Sequence, residues 1–365
     1  MFKKYVSNTC AATGTSFLIE STNGKRSYRV YVKPTCYGRF EWRFFFINSV
    51  NSTYAQGEVG YANRSGGAWT IHSASIGVSA STSINDKIEN ATAVTFDLGK
   101  SRRVEPDEQF WSDAVNFEIN DGFLVWEWEL EGTDIPSMPE DIFAAYSHGE
   151  GEDWAWEWNR SCPALFGCAR PYKKRIAFLG DSITAGCGTV RDAYEMWVGR
   201  IGDAVKEDFA TWNLGLGFGR GSDCATNGSW LSKGKRYDTV VVTYGVNDLL
   251  SGEYGKGRGS SAGEIVSWVE SIALKLQEAG ADVIISTIPP FEYDERQRWE
   301  WRCANLGLKL LANRLGCPVF DIASSLESEP FKGDFPHGSH PDGEGCRLAF
   351  ERFKETFFIN GEWRL

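Results

Sequence analysis

The sequence predicts an α/β protein of two unlike parts: an all-β, jelly-roll-like sandwich over residues 1–165, then an α/β/α unit on a parallel sheet over residues 172–365. Three observations carry this expectation. The early chain is a succession of short β-forming segments without a convincing long amphipathic helix. From Lys173 onward, compact apolar runs alternate with helical patterns. Finally, 365 residues with 42% apolar content exceed the usual size of a single core and suffice for two.

In chain order, SYRVYVK, RFEWRFFFIN, AVTFDLG and FLVWEWEL alternate or cluster β-formers and are separated by Gly, Asn, Ser and Asp, as the strands of a sandwich are. Pro136, Pro139, Pro163 and Pro171 punctuate the exit, which places the boundary between about residue 150 and residue 172. Then RIAFLG, DTVVVTYG and DVIISTIPP read as buried parallel strands, each separated by enough helical pattern to cross over, so a doubly wound sheet follows. AGEIVSWVESIALKLQEAG repeats apolar residues at helical spacing (Ile265, Val266, Val269, Ile272, Ala273, Leu276) and stops at Gly280; Glu344 to Phe358 sets Leu348, Ala349, Phe353 and Phe357 on one side. There is no internal repeat and no low-complexity tract.

Composition excludes several roles. A net charge of −11 and a pI near 5.1 oppose a polyanionic partner, so neither nucleic acid nor an anionic membrane is expected. No apolar run reaches bilayer length, and the start MFKKYVSNTCAATG places no apolar stretch behind its lysines, so the expectation is a chain without a secretion signal and a cytoplasmic address. Nine cysteines without CxxC spacing suit reduced thiols better than a disulfide framework or a zinc site. Oligomeric state leaves no trace in the sequence.

Chemistry concentrates at RIAFLGDSITAGCGT, residues 175–189. A strand over Ile176–Leu179 delivers Ser182 to the carboxyl end of the sheet, where reactive groups of open α/β folds collect. Gly180 allows a tight turn, and a helix-favouring stretch follows, so the hydroxyl would stand in the crevice near backbone N–H donors. The alternative is that Asp181 or Ser182 only caps the helix. Three further segments bear on the choice. NLGLGFGR lacks the G-x-G-x-x-G spacing of a dinucleotide site. TYGVNDLL ends a strand at Gly245 and then offers Asn247, either a turn residue or an amide donor for an oxyanion. HGSHPDGEGC holds His337 and His340, two of the four histidines in the chain.

In this order, Gly180-Asp181-Ser182, Gly215 in Asn213-Leu214-Gly215, Gly245-Val246-Asn247-Asp248 and His340-Pro341 resemble the four blocks of the SGNH branch of the GDSL esterase family. The resemblance covers the second part of the chain. It implies a flavodoxin-like α/β/α catalytic domain, Ser182 as nucleophile, His340 as base and acid, and an oxyanion hole made of the Ser182 N–H, the Gly215 N–H and the Asn247 amide. No cofactor is implied. An unactivated hydroxyl needs an imidazole to take its proton, and the tetrahedral oxyanion needs preorganised donors, so the chemistry asks for the same set.

The family writes its last block Asp-x-x-His, and here the acidic position is His337. Three arrangements stand open: a Ser-His dyad with His340 oriented by a backbone carbonyl, a substitute carboxylate from Asp334 or Asp342, or His337 as a neutral orienting acceptor. The dyad ranks first, because the sandwich ahead of the domain resembles carbohydrate esterases that dispense with the acid. His337 and His340 with Asp334 or Asp342 also invite a metal reading, but they lack the helical H-E-x-x-H register, and no metal is expected.

Trp154, Trp156 and Trp158, like Trp126 and Trp128, recur at period two. They read first as sandwich core or inter-domain seam and second as a sugar-stacking platform. Asp181, Arg220 and Trp230 are candidates for touching substrate, with Arg220 and Asp223 alternatively paired to each other. The expected function is a carbohydrate O-acetyl esterase acting on an acylated carbohydrate or other small ester. The alternatives are a lipid or aryl-ester acylhydrolase and a glycan-binding protein with a decayed site.

Overall fold

A computed structural model describes residues 1–50, 54–55, 58–59, 64–250 and 259–365. Two antiparallel sheets make up the first part. In one, Gly38–Ile47 pairs with Leu165–Ala169, Gln109–Trp111 and Val115–Ile119, and Val6–Ser7 adds to Leu165–Ala169. In the other, the long strand Phe123–Ser137 is flanked by Trp69–Ser79 and Arg26–Val32, with Glu89–Val94 and Ala145–Gly149 outside them. The sheets face each other as a sandwich whose core is aromatic: Phe44 lies 4.7 Å from Trp126, and Phe46 lies 5.5 Å from Trp128. Trp126 and Trp128 are thus core, while Glu127 and Glu129, which alternate with them, pair outward with Arg29 and Lys25.

The run Phe44-Phe45-Phe46-Ile47 is buried throughout and does not alternate with polar residues. Its even-numbered side chains fill the sandwich, whereas Phe45 and Ile47, with Leu165, join Trp212, Leu214, Trp230 and Tyr237 in a second core shared with the α/β part. A strand buried on both faces reads as a continuous apolar run, which is what this segment spells.

The chain crosses from Ala169 to the strand Lys174–Gly180 and builds a five-stranded parallel sheet in the order Phe209–Gly215, Lys174–Gly180, Thr239–Thr243, Asp282–Ser286, Val319–Phe320. This is the doubly wound order in which the second strand lies outside the first. Ile176 and Phe178 face the helices Trp197–Val205 and Gly343–Phe357, and Ala177 and Leu179 face Ala262–Glu278 and Glu295–Leu315. The Ala262–Glu278 helix begins in a capping box of Ser261 with Glu264.

Because Phe45 is 3% exposed in the shared core, Phe45→Ala should lower stability by about 3–5 kcal/mol, read by urea unfolding. A cost below about 1 kcal/mol would mean that the face is not held closed by this side chain.

Candidate active site

The site lies where the parallel sheet changes direction. Gly180 ends the first strand with Gly215 and Thr243 in register on either side, so the segments after all three strands emerge side by side. Such a switch point leaves a crevice beyond the strand ends. Ser182 opens the one-turn helix Ser182–Ala185, capped by Asp181, whose Oδ1 accepts the N–H of Ile183 at 3.0 Å. The capping role that the sequence left open therefore belongs to Asp181, and the seryl side chain is left for other contacts. Its Oγ lies 2.9 Å from Nε2 of His340, and both residues are partly exposed.

Asn247 follows the neighbouring strand, and its Nδ2 donates to the carbonyl of Gly219 at 3.0 Å, which fixes the amide plane against the loop after Gly215. Asp248 ties the same two segments together by accepting the N–H groups of Gly221 at 2.8 Å and Ser222 at 3.1 Å. Gly215 itself is steric: a Cβ there would stand 2.2 Å from the Ala185 nitrogen, so only glycine lets the loop approach the serine-bearing turn. Its N–H, expected to face an oxyanion, donates instead to Oδ1 of Asn213 at 2.9 Å. A backbone N–H has one hydrogen, so in this arrangement it is spent.

Burial overturns the three expected substrate contacts. Asp181, Arg220 and Trp230 are each at most 2% exposed. Arg220 pairs with Asp223, also buried, at 3.1 Å, and the indole N–H of Trp230 donates to the Tyr244 hydroxyl at 2.8 Å. Arg220 and Trp230 are buried where the short helices after Gly215 begin. Burial raises the Asp181 carboxyl to about 7, and neighbouring Asp248 adds to the rise against the N–H groups that favour the anion.

None of the three proposed orienters meets His340. Asp334 is turned to the Ser328 hydroxyl. Asp342 caps the last helix through the Gly345 N–H at 2.8 Å, and His337 sits 3.7 Å from that same carboxylate. Among the described residues, the hydrogen bond of the His340 ring is with Ser182. Burial pushes its pKa below the ordinary 6.5, and the opposing charge comes from Glu292. Glu292 neighbours Phe291, whose ring meets His340 edge-on at 5.3 Å. Both lie in the loop after Asp282–Ser286, and the sequence offered no spacing rule that would pair them with His340.

A second group also escaped the sequence. Glu140, from the sandwich part, accepts a hydrogen bond from the Cys187 thiol at 2.6 Å and lies against Gly217, where a Cβ would stand 1.8 Å from its Oε1. Burial raises the pKa of both the carboxyl and the thiol, the thiol well above its usual range. No group of His, Cys, Asp and Glu able to hold a metal ion occurs among the described residues.

A parallel sheet with a hydroxyl and an imidazole in contact at its carboxyl edge defines the framework of an acyl-transfer hydrolase. Residues 178–348 match the model of the GDSL-like Lipase/Acylhydrolase family, and the chain is a carboxylic ester hydrolase. Similar solved structures include a member of the lipolytic protein G-D-S-L family from Veillonella parvula DSM 2008, with 22% identity, 50% of this chain and 97% of that one covered, and a TM-score of 0.42. A variant of an acetyl-xylooligosaccharide esterase from Geobacillus Stearmophilus shows 18% identity, 53% and 96% coverage, and a TM-score of 0.42. No curated protein matches the chain in sequence.

A carboxyl protonated to about pH 7 when folded but ionised above about 4 when unfolded gives stability that is full below the lower value and is lost as pH rises through the upper one. Asp181→Asn should therefore flatten the pH dependence of stability between about pH 4 and about pH 7, measured as unfolding midpoints. An unchanged slope would remove Asp181 as its source.

Proposed function

We propose that the chain removes O-acetyl or similarly short acyl groups from carbohydrate through an acyl-enzyme, with Ser182 as nucleophile and His340 as general base and acid, in a catalytic domain spanning residues 172–365. The observation that carries this reading is the 2.9 Å contact between Ser182 Oγ and His340 Nε2 at the switch point of the sheet. His340 takes the hydroxyl proton as Oγ attacks the acyl carbon, and the oxyanion forms beside the Ser182 N–H and the Asn247 amide. The imidazolium then protonates the leaving sugar oxygen. Water enters, His340 accepts its proton, the acyl group leaves as the acid, and Ser182 recovers its hydrogen. Glu292 supplies charge that favours the imidazolium of the transition state. Carbohydrate as substrate is supported by the sandwich ahead of the domain, by the acidic, aromatic-rich chain, and by Trp158, which is 61% exposed on that sandwich.

Hydrolysis of nitrophenyl acetate against nitrophenyl octanoate tests the acyl preference, and acetylated oligosaccharides test the sugar. Acetate should be preferred, with Ser182→Ala inactive and Asn247→Ala down by about 100- to 1000-fold in kcat. Preference for octanoate would move the reading to a lipid acylhydrolase.

The neutral imidazole is the working form, and burial holds its pKa under 6.5, so kcat/KM should fall on acidification through a midpoint below 6.5. A midpoint above 6.5 would remove His340 in this environment as the base.

A further inference from the structure

We propose that the sandwich part holds His340 in position through the loop from Gly188 to Glu195, supplying the orientation that a carboxylate three residues ahead of the histidine would give. The inference rests on Ser182 and His340 being the reacting pair.

At its first end the loop is pressed against the histidine. A Cβ on Gly188 would stand 2.5 Å from the carbonyl oxygen and 2.8 Å from the Cβ of His340, and the residue has φ of +94°. At its far end, Glu195 lies against Gly343, just past the histidine, and its carboxylate accepts the Val190 N–H at 3.0 Å. Arg200 links the same places, donating to the Glu195 carbonyl at 2.8 Å and to the Gly343 carbonyl at 3.2 Å.

Between these ends the loop is fastened to the sandwich. Arg191 forks onto both oxygens of Asp141 at 2.8 and 2.6 Å, with its guanidinium 3.9 Å from the centre of the Trp156 ring. Asp192 accepts the Ala144 N–H at 2.9 Å and the Thr82 hydroxyl at 2.8 Å, and its own N–H donates to the Ile142 carbonyl at 3.1 Å. The Tyr194 hydroxyl accepts the Lys33 N–H at 2.9 Å. Asp192 and Tyr194 hold φ of 62° and 55°, a region that side-chain-bearing residues occupy at a cost of about 1 kcal/mol or more each. Such a shape persists where surrounding contacts impose it, and here those contacts come from the sandwich.

The groups around the imidazole make its titration a reporter of this support. Ser182 faces it from the one-turn helix, and Glu292 acts on it from the Phe291 loop. On its own segment, His337 is turned to Asp342; on the buttressing loop, Arg191 and Asp192 point to the sandwich and Glu195 to Gly343. Loosening the loop lets water reach the ring, and its pKa climbs back toward the ordinary value.

The test is an NMR titration of the imidazoles in the full chain, with four histidines to resolve and His340→Gln to assign the signal, run beside kcat and KM. Arg191→Ala and Tyr194→Phe should each raise the His340 midpoint by half a pH unit or more and lower kcat about 10- to 100-fold with KM changed less than about twofold, since a displaced group costs turnover on this scale. Arg191→Lys should recover part of the loss. Tyr194→Phe alters no formal charge, so its shift separates loosening from lost positive charge. A His340 midpoint unmoved in both variants overturns the proposal, as does a loss confined to KM. If the wild type hydrolyses no ester while the midpoints shift as expected, the catalytic reading fails and the mechanical link stands.

Discussion

Much of this architecture follows from one strand segment, residues 44–47, that is buried on both faces. The strand Gly38–Ile47 and its partner Leu165–Ala169 send aromatic side chains both into the sandwich and onto the α/β part. Neither part can present that surface to water without exposing Phe45, Ile47 and Leu165. Burying a side chain of this size is worth about 1.5–3 kcal/mol, so a handful of them binds the halves as firmly as a typical core. The consequence for the site is geometric. The loops that leave the parallel sheet toward the sandwich have a fixed wall to lean on, and Glu140, Asp141 and Ala144 are part of it.

Beneath the reacting pair the structure buries two acidic side chains. Asp181 and Asp248 are both 1% exposed and each spends its oxygens on backbone N–H groups, one capping the serine turn and one gathering the loop after Gly215. Desolvation opposes ionisation in both. The return is position: Asp181 fixes the serine turn, and Asp248 holds the loop after Gly215 to the segment after Thr239–Thr243. Catalysis by preorganised donors depends on such rigidity.

Much of this was readable from residue order. Periodicity shows the parallel strands, because each is a short apolar run between turn residues, and the helices over Ala262–Glu278 and Gly343–Phe357 follow from their apolar spacing. Ser182, His340 and Asn247 stand out because each follows a strand or turn at a motif spacing. The unread features are those decided by long-range packing. Burial of Arg220 and Trp230 depends on how the short helices after Gly215 fold back, and capture of the Gly215 N–H depends on the rotamer of Asn213. Glu292 and Glu140 reach the site from segments with no sequence relation to it. The tryptophans divide likewise: Trp126 and Trp128 are core, whereas Trp158, with the same period-two signal, is exposed.

The pairing of Val6–Ser7 with Leu165–Ala169 also bears on how the chain is made. Phe2 packs on Phe45 and Trp111, and stacks 6.1 Å from Trp212, so the opening residues join strands synthesised far later. At about 5–20 residues per second, a ribosome needs on the order of ten seconds or more to deliver those partners. For that interval the face carrying Phe45 and Ile47 lacks its later partners Leu165, Trp212 and Trp230. Transiently exposed apolar surface of this kind is what makes nascent chains prone to aggregate.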